Sequence, residues 1–177
     1  MKRVLAFAAS NSIHSINKKL VTYASSLLLD VEIEILDLND YEMPIYSIDR
    51  EKANGIPDLA HQFKAKISAS DGIMISFAEH NSAYSAAYKN IYDWVSRIGR
   101  SVWDGKPMLL MATSPGGRGA KGVLELAEKS YGRANPNVVG SFSLPGFSKN
   151  FDETIGLTEP ELLSELKAKV AMLQAAL

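Results

Sequence analysis

The chain has 177 residues, 46% of them hydrophobic and 22% charged, and its 19 basic and 20 acidic residues give a formal net charge of −1. This balance argues against a general nucleic-acid binder, which usually presents a basic face. Because the sequence has no cysteine, it excludes disulfides, thiolate catalysis and cysteine-ligated zinc or iron–sulfur centres, so any redox chemistry requires a bound cofactor.

The length, together with the lack of an internal repeat or linker, predicts a single domain over residues 1–177. The first apolar run is too short for a signal peptide, and no stretch approaches the roughly 20 apolar residues of a membrane span. We therefore expect a cytoplasmic protein that does not associate with membranes.

Five short strands are predicted along the chain. Four of them are apolar at nearly every position, as is typical of parallel strands buried on both faces, and the second alternates apolar and acidic residues like an edge strand. The predicted strands are Val4–Ala8, Val31–Leu38, Gly72–Phe77, Met108–Thr113 and Val138–Phe142.

Amphipathic helical patterns lie between these strands and after the last one. Thr158, followed three residues later by Glu161, predicts a capping box at the start of the final helix. The stretch Asn39–Asn54, with Pro44, is predicted to be a long surface loop. The alternation of strands and helices predicts an α/β fold with parallel strands and right-handed crossovers.

Ligands of open parallel sheets bind beyond the carboxyl ends of the strands, so the loops there are the places to look for a site. After the first strand, Ser10, Ser12, Ser15 and Asn17 surround the start of a helix. Free backbone N–H groups and short polar side chains at that position favour an anion. The alternative is that Ser15 merely caps the helix.

The loop after the third strand carries Glu79, His80, Asn81 and Ser82. These side chains have the polarity to hydrogen-bond a planar heteroaromatic ligand, and the alternative is a polar loop in which Glu79 forms a surface ion pair. No histidine pair has the spacing of a metal site, so no metal ligand is expected.

The loop after the fourth strand carries Ser114, Gly116 and Gly117. Glycine lets a backbone approach a flat ligand closely. The sequence contains no G-x-S-x-G elbow, which disfavours a nucleophilic hydrolase.

The three loops read A-S-N-S-I-H-S-I-N, A-E-H-N-S-A-Y-S-A-A-Y-K-N-I-Y-D-W and K-P-M-L-L-M-A-T-S-P-G-G-R-G. Together they resemble the NADPH-dependent FMN reductase family, a flavodoxin-like group that includes quinone, azo and chromate reductases. The K-N-x-x-D-W spacing is the most specific part of the resemblance. The chain departs from the family pattern at Ala9, at Ser12, where arginine is usual, at Ala78 and at His80.

The resemblance implies a flavodoxin-like three-layer sandwich with a five-stranded parallel sheet in the order 2-1-3-4-5. It implies FMN as the cofactor, NADPH or NADH as the hydride donor, and a small-molecule electron acceptor such as a quinone, an azo compound, a metal oxyanion or free flavin. It assigns the phosphate to the first loop and the ring to the other two.

The resemblance also implies a homodimer or homotetramer. Asp93 and Trp94 lie beside the apolar stripe of the third predicted helix, and our hypothesis is that they mark a dimer contact.

Two other functions stay open at this point. One is a flavodoxin-type electron carrier that does not oxidise a nicotinamide directly, although flavodoxins are generally strongly acidic and this chain is not. The other is a module that has kept the fold and lost FMN, for which the replacements at Ala9, Ser12 and Ala78 are the argument.

Overall fold

The computed structural model describes residues 1–135 and 137–177. Its strands are β1 (Lys2–Ala9), β2 (Val31–Leu36), β3 (Gly72–Phe77), β4 (Glu79–His80), β5 (Ala83–Tyr84), β6 (Met108–Thr113), β7 (Val138–Leu144), β8 (Phe151–Asp152) and β9 (Gly156–Leu157). Its α-helices are α1 (Ile16–Ser25), α2 (Ile48–Asn54), α3 (Asp58–Ala69), α4 (Ala86–Val95), α5 (Lys121–Ala134), α6 (Phe147–Asn150) and α7 (Pro160–Ala176).

The main sheet has five parallel strands in the order β2-β1-β3-β6-β7. In chain order of the main strands this is 2-1-3-4-5, so the predicted topology is confirmed. β3 and β6 are buried at every position, which explains why their sequences are apolar runs rather than alternating patterns. The strand order reverses beside β1, so the loops after β1 and β3 diverge there and leave an opening.

Helices cover both faces of the sheet. On one face, Phe63 of α3, Ile91 of α4 and Val123 of α5 join the larger apolar cluster. On the other face, Leu20 of α1 and Leu166 of α7 join the second cluster. The result is the predicted three-layer α/β sandwich. No helix in the described ranges is both long enough and apolar enough to cross a membrane.

Three strands, β1, β2 and β7, differ from their predicted bounds by one or two residues at an end, and two other predictions are wrong. The stretch Asn39–Asn54 is not a continuous loop, because it contains most of a 3-10 helix, Leu38–Tyr41, and all of α2. The final helix begins at Pro160 and has no side-chain cap, so the predicted capping box at Thr158 is wrong. Proline holds the preceding residue in an extended conformation, which places Glu159 rather than Thr158 at the boundary.

The K-N-x-x-D-W motif of α4 fastens the segment that follows the 3-10 helix. The Asn90 amide donates to the carbonyl of Met43 (3.0 Å) and accepts from the backbone N–H of Tyr46 (2.9 Å). The Trp94 indole donates to the carbonyl of Pro44 (2.7 Å). Trp94 is only 1% exposed, so our hypothesis that it marks a dimer contact is wrong: its polar and apolar surfaces are used within the chain. For Asp93, whose side chain is 35% exposed, the hypothesis stays a prediction.

Candidate functional site

The loops after β1, β3 and β6 converge at the carboxyl edge of the sheet and enclose a cleft of about 220 Å³. Seven of the residues predicted for a ligand site line it: Ser10, Ser12, Ser15, Asn17, Glu79, His80 and Ser114. Asn81, Ser82, Gly116 and Gly117 are exposed beside the cleft and are not among its lining residues.

The β1–α1 loop is a series of tight turns held by its own serines. The Ser10 hydroxyl accepts from the backbone N–H of Ser12 (3.2 Å), and the Ser12 hydroxyl accepts from that of His14 (3.3 Å). The Ser15 hydroxyl caps α1 by accepting from Lys18 N–H (3.1 Å). Each of these hydroxyls therefore acts as an acceptor toward the backbone and keeps its own hydrogen for donation to a ligand.

The first turn of α1 adds backbone donors to these hydroxyls. Among the described residues, the N–H groups of Ile16 and Asn17 have no acceptor, because they precede the first full helical turn. The helix dipole adds partial positive charge at the same end. Capping by Ser15 and anion binding are therefore compatible, and the loop has the donors that a phosphate requires.

The Asn17 side chain, predicted as a phosphate ligand, faces the sheet instead of the cleft mouth. Its amide oxygen accepts from the Ser76 hydroxyl (2.7 Å) and from Thr113 N–H (3.1 Å), and its amide nitrogen donates to the Thr113 carbonyl (3.2 Å). Asn17 is only 3% exposed. Its side chain joins α1 to the ends of β3 and β6, and thereby positions the turn that carries the free N–H groups.

Glu79 also uses its side chain within the protein. One carboxylate oxygen accepts from the backbone N–H of Val123 (2.8 Å) in the first turn of α5. The residue at the capping position of that helix, Ala120, has no side-chain acceptor. Glu79 therefore supplies from another loop the cap that α5 lacks, and its negative charge is favourable near the helix N-terminus.

The segment after β3 is a two-residue hairpin, a feature that the sequence analysis did not predict. His80 pairs with Ala83 across it, and the two turn residues, Asn81 and Ser82, have φ values of 52° and 60°. Positive φ at both central positions is the pattern of a type I′ turn. The hairpin places His80 at the cleft and exposes Asn81 and Ser82 at its tip.

The β6–α5 loop is fastened to the end of β7. The Gly116 carbonyl accepts from Gly146 N–H (2.9 Å), and the Ser114 carbonyl accepts from Phe147 N–H (3.1 Å). A Cβ at Gly117 would meet nothing within 4 Å. At Gly119, where φ is +60°, it would lie 2.4 Å from Ser143 Oγ and 2.8 Å from Pro145 N. The loop is anchored at Gly119 and open at Gly117.

His14 is a lining residue that the predicted site omitted. It lies between Ser12 and Ser15, in the loop that the sequence analysis predicted to bind an anion. This position could have identified His14 as a site residue from the sequence alone. Thr113 and Pro115 also line the cleft, and neither has a sequence pattern that would have identified it. No group of three His, Asp or Glu side chains in residues 1–135 and 137–177 is arranged to hold a metal ion.

The comparison with protein families agrees with this geometry. A model of the NADPH-dependent FMN reductase family matches residues 2–150, which include all three loops. The chain belongs to the NADPH-dependent FMN reductase family. The resemblance predicted from the loop motifs is thereby confirmed.

Proteins similar to this chain include quinone reductases. A 2-hydroxy-1,4-benzoquinone reductase of Burkholderia sp is 36% identical over 107 residues, which cover 59% of this chain and 56% of that protein. A quinone reductase of Pseudomonas putida is 31% identical over 118 residues, which cover 66% of this chain and 62% of that protein. The match thus spans less than two thirds of the length of each of these quinone reductases.

Among solved structures, FerB of Paracoccus denitrificans, a flavoenzyme NAD(P)H:(acceptor) oxidoreductase, superposes with a TM-score of 0.77. The two chains are 24% identical, and the match covers 99% of this chain and 97% of that one. An azoreductase of Bacillus anthracis superposes with a TM-score of 0.63 at 14% identity and covers 99% and 100%. These likenesses establish the flavodoxin-like fold.

The residues present fit the FMN that the family implies. The β1–α1 loop offers three hydroxyl hydrogens and two unused backbone N–H groups to a phosphate. The β6–α5 loop offers open space at Gly117, where a flat ring system has room. Both features lie at the carboxyl edge of the parallel sheet, where ligands of this class of fold bind.

Proposed function

We propose that this protein is an NAD(P)H-dependent flavin oxidoreductase that binds FMN at the cleft and reduces a small acceptor such as a quinone or an azo compound. This proposal rests on the hydrogen-bond donors at the start of α1 that have no acceptor within the described residues, in a chain of the FMN reductase family. Bound FMN would take a hydride from the nicotinamide and pass two electrons to the acceptor.

The phosphate end of the cleft is formed by the β1–α1 loop. Ser10, Ser12 and Ser15 donate their hydroxyl hydrogens to the phosphate, together with the N–H groups of Ile16 and Asn17. The Asn17 side chain is a positioning group, because its amide holds the turn against β3 and β6. This assignment revises the direct contact that the motif implied for that amide.

The ring end is formed by the β4–β5 hairpin and the β6–α5 loop. In this proposal His80, Asn81 and Ser82 hydrogen-bond the polar edge of the ring, with Ser114, Gly116 and Gly117 beside it. Glu79 holds the hairpin against α5 through Val123. No acid or base of the protein is required for hydride transfer, so these residues bind and orient.

The proposal is tested by incubating the purified protein with FMN, removing free FMN by dialysis, and mixing anaerobically with NADPH or NADH. Retained absorbance that bleaches promptly supports the oxidoreductase. Retained absorbance that does not bleach favours a carrier, and loss of absorbance on dialysis with no bleaching beforehand overturns the proposal. The Ser15→Ala variant is expected to bind FMN about tenfold more weakly, since it loses one hydroxyl donor to an anion and the cap of α1.

We also propose that the protein is a cytoplasmic homodimer or homotetramer, formed by a single domain. Two large exposed apolar side chains, Ile13 in the β1–α1 loop (81% exposed) and Ile45 in the segment before α2 (75% exposed), support an apolar contact between subunits. Light scattering at low micromolar concentration tests this proposal, and a monomer would contradict it. Replacement of Ile45 by serine is expected to shift the equilibrium toward monomer. Ile155→Ser, at another exposed site (66%) on the β8–β9 turn, serves as the control.

A further inference from the structure

The cleft that would receive a dianionic phosphate has no lysine or arginine among its lining residues. The three ionisable residues that line it are His14, Glu79 and His80. The single carboxyl group in the lining belongs to Glu79, and a carboxylate has the same sign of charge as the ligand. Any positive side-chain charge in the lining must therefore come from a histidine.

His14 is placed in the part of the cleft that has the phosphate donors. Its backbone N–H donates to the Ser12 hydroxyl, and the following residue, Ser15, caps α1. The imidazole is exposed and makes no hydrogen bond or ion pair with any described residue. His80 lies across the cleft on the hairpin, at the end assigned to the ring.

Other charged groups on neighbouring elements are already paired or lie outside the cleft. On α1, Lys18 pairs with Asp37 and Lys19 pairs with Glu153. Arg118 of the β6–α5 loop is exposed and is not a lining residue. Within the hairpin, burial raises the pKa of Tyr84 in β5 to about 12, so its phenol is neutral throughout the range in which histidine titrates.

We propose that protonated His14 is the cationic partner of the FMN phosphate, which makes cofactor retention dependent on pH. This inference rests on the proposed function, since it concerns the same bound FMN. Histidine is the side chain that changes charge near neutrality. Because histidine, rather than lysine or arginine, lines this cleft, the positive charge near the phosphate is one that a change of pH removes.

The direction in which FMN affinity changes with pH follows from the linkage between FMN binding and protonation of the histidine. A phosphate attracts the protonated imidazole and not the neutral one. The additional affinity is therefore present when the histidine carries its proton and is lost as rising pH removes that proton. Below about pH 6 the phosphate itself gains a proton, so the informative range lies above that value.

The experiment measures FMN affinity by quenching of flavin fluorescence from about pH 6.5 to about pH 8.5, with riboflavin titrated in parallel. Riboflavin has the same ring and no phosphate. For the unaltered protein we expect FMN affinity to fall about tenfold across this range, the size of one charge-assisted hydrogen bond, while riboflavin affinity stays constant. His14→Gln is expected to bind FMN with the weaker affinity at every pH.

The sequence has three histidines, and the other two provide matched controls. His61 is exposed on α3, which packs on the opposite face of the sheet from α1, so His61→Gln is expected to keep the full pH dependence. Ser12→Arg should bind FMN tightly with a much smaller dependence on pH, because its charge is permanent. Circular dichroism of each variant verifies folding.

Three results would overturn the inference. They are an FMN affinity that does not vary with pH in the unaltered protein, a pH dependence that persists in His14→Gln, and one that disappears in His80→Gln instead. Failure to bind FMN at any pH would instead overturn the proposed function, so the two failures are distinguishable.

Discussion

Asn17 and Thr113 exchange two hydrogen bonds, although 96 residues separate them in the chain. The Asn17 amide nitrogen donates to the Thr113 carbonyl (3.2 Å), and the Thr113 N–H donates to the Asn17 amide oxygen (3.1 Å). The same oxygen accepts from the buried Ser76 hydroxyl (2.7 Å). A side chain of α1 thus pairs with β6 much as a neighbouring strand would, just beneath the proposed phosphate site.

The first prediction concerns this pairing. Asn17→Ala leaves the Ser76 hydroxyl and the Thr113 N–H buried without partners, and we expect it to lower the free energy of unfolding by about 2–4 kcal/mol. Urea denaturation measures the change. Asn54→Ala, at an exposed residue of α2, is the control, with a change within about 0.5 kcal/mol. A loss as small as the control's would contradict the structural role of Asn17.

The second prediction concerns the cap that Glu79 supplies to α5. Glu79→Ala removes the acceptor of Val123 N–H and should cost about 1 kcal/mol of stability, as loss of a helix cap does. Glu79→Gln keeps an acceptor and loses only the charge, so its cost should be smaller. Thermal unfolding of both variants makes the comparison. If glutamine proves as damaging as alanine, the hydrogen bond is not the source of the stability.

The third prediction compares two glycines of one loop. Gly119→Ala combines a φ of +60° with a Cβ 2.4 Å from Ser143 Oγ and 2.8 Å from Pro145 N, and we expect a loss of about 2–4 kcal/mol. Gly117→Ala meets open space and should leave stability nearly unchanged. Its expected effect is on FMN affinity, because the added methyl group would face the proposed ring position. Denaturation of both variants measures how much Gly119 contributes to stability. FMN titration of both variants measures how much Gly117 contributes to cofactor binding.

The fourth prediction concerns the indole of Trp94. Trp94→Phe removes the shorter of the two hydrogen bonds to the Pro44 carbonyl (2.7 Å) and leaves only the one from the Asn90 amide (3.2 Å). It also reduces the edge contact with Tyr46, whose ring centroid lies 5.0 Å away. We expect a loss of about 1–3 kcal/mol. Hydrogen exchange at Tyr46 N–H should also accelerate, since the segment is fastened to α4 by few bonds. Unchanged exchange there would show that Asn90 alone holds the segment.

The fifth prediction concerns acid. The hydrogen bond from the Lys18 ammonium, with one from Asn39 N–H, holds the pKa of Asp37 below its usual value. A lowered folded-state pKa contributes stability above the unfolded-state pKa, and that contribution is lost as the pH falls through the folded-state value. The stability difference between the unaltered protein and Asp37→Asn should therefore shrink as the pH falls from about 5 to about 2.

Because Asp37 is partly exposed, this contribution should stay below about 1 kcal/mol even at neutral pH. Asp49→Asn, at an exposed carboxylate of α2 that forms no ion pair within the described residues, is the control. A difference for Asp37→Asn that is constant with pH would contradict the assignment.

Much of this architecture was predictable because it depends on short-range patterns. Gly72–Phe77 and Met108–Thr113 were predicted with the bounds that the structure has, since an apolar run of that length between polar breaks suits a buried parallel strand. The boundary error at Thr158 came from giving a capping pattern more weight than Pro160, whose ring restricts the residue before it. The loop motifs, in turn, predicted the family that the comparison confirmed.

The sequence by itself determined the sheet, its covering helices, the family and the three loops that meet at the cleft, because periodicity, turn residues and motif spacing are local properties of the chain. Only the tertiary structure decided what each side chain in those loops faces. Asn17 and Glu79 have residue types suited to binding a ligand, yet both bond to other elements of the fold. A hydrogen-bonding group takes the partner that folding brings within about 3 Å, and no local pattern records that partner.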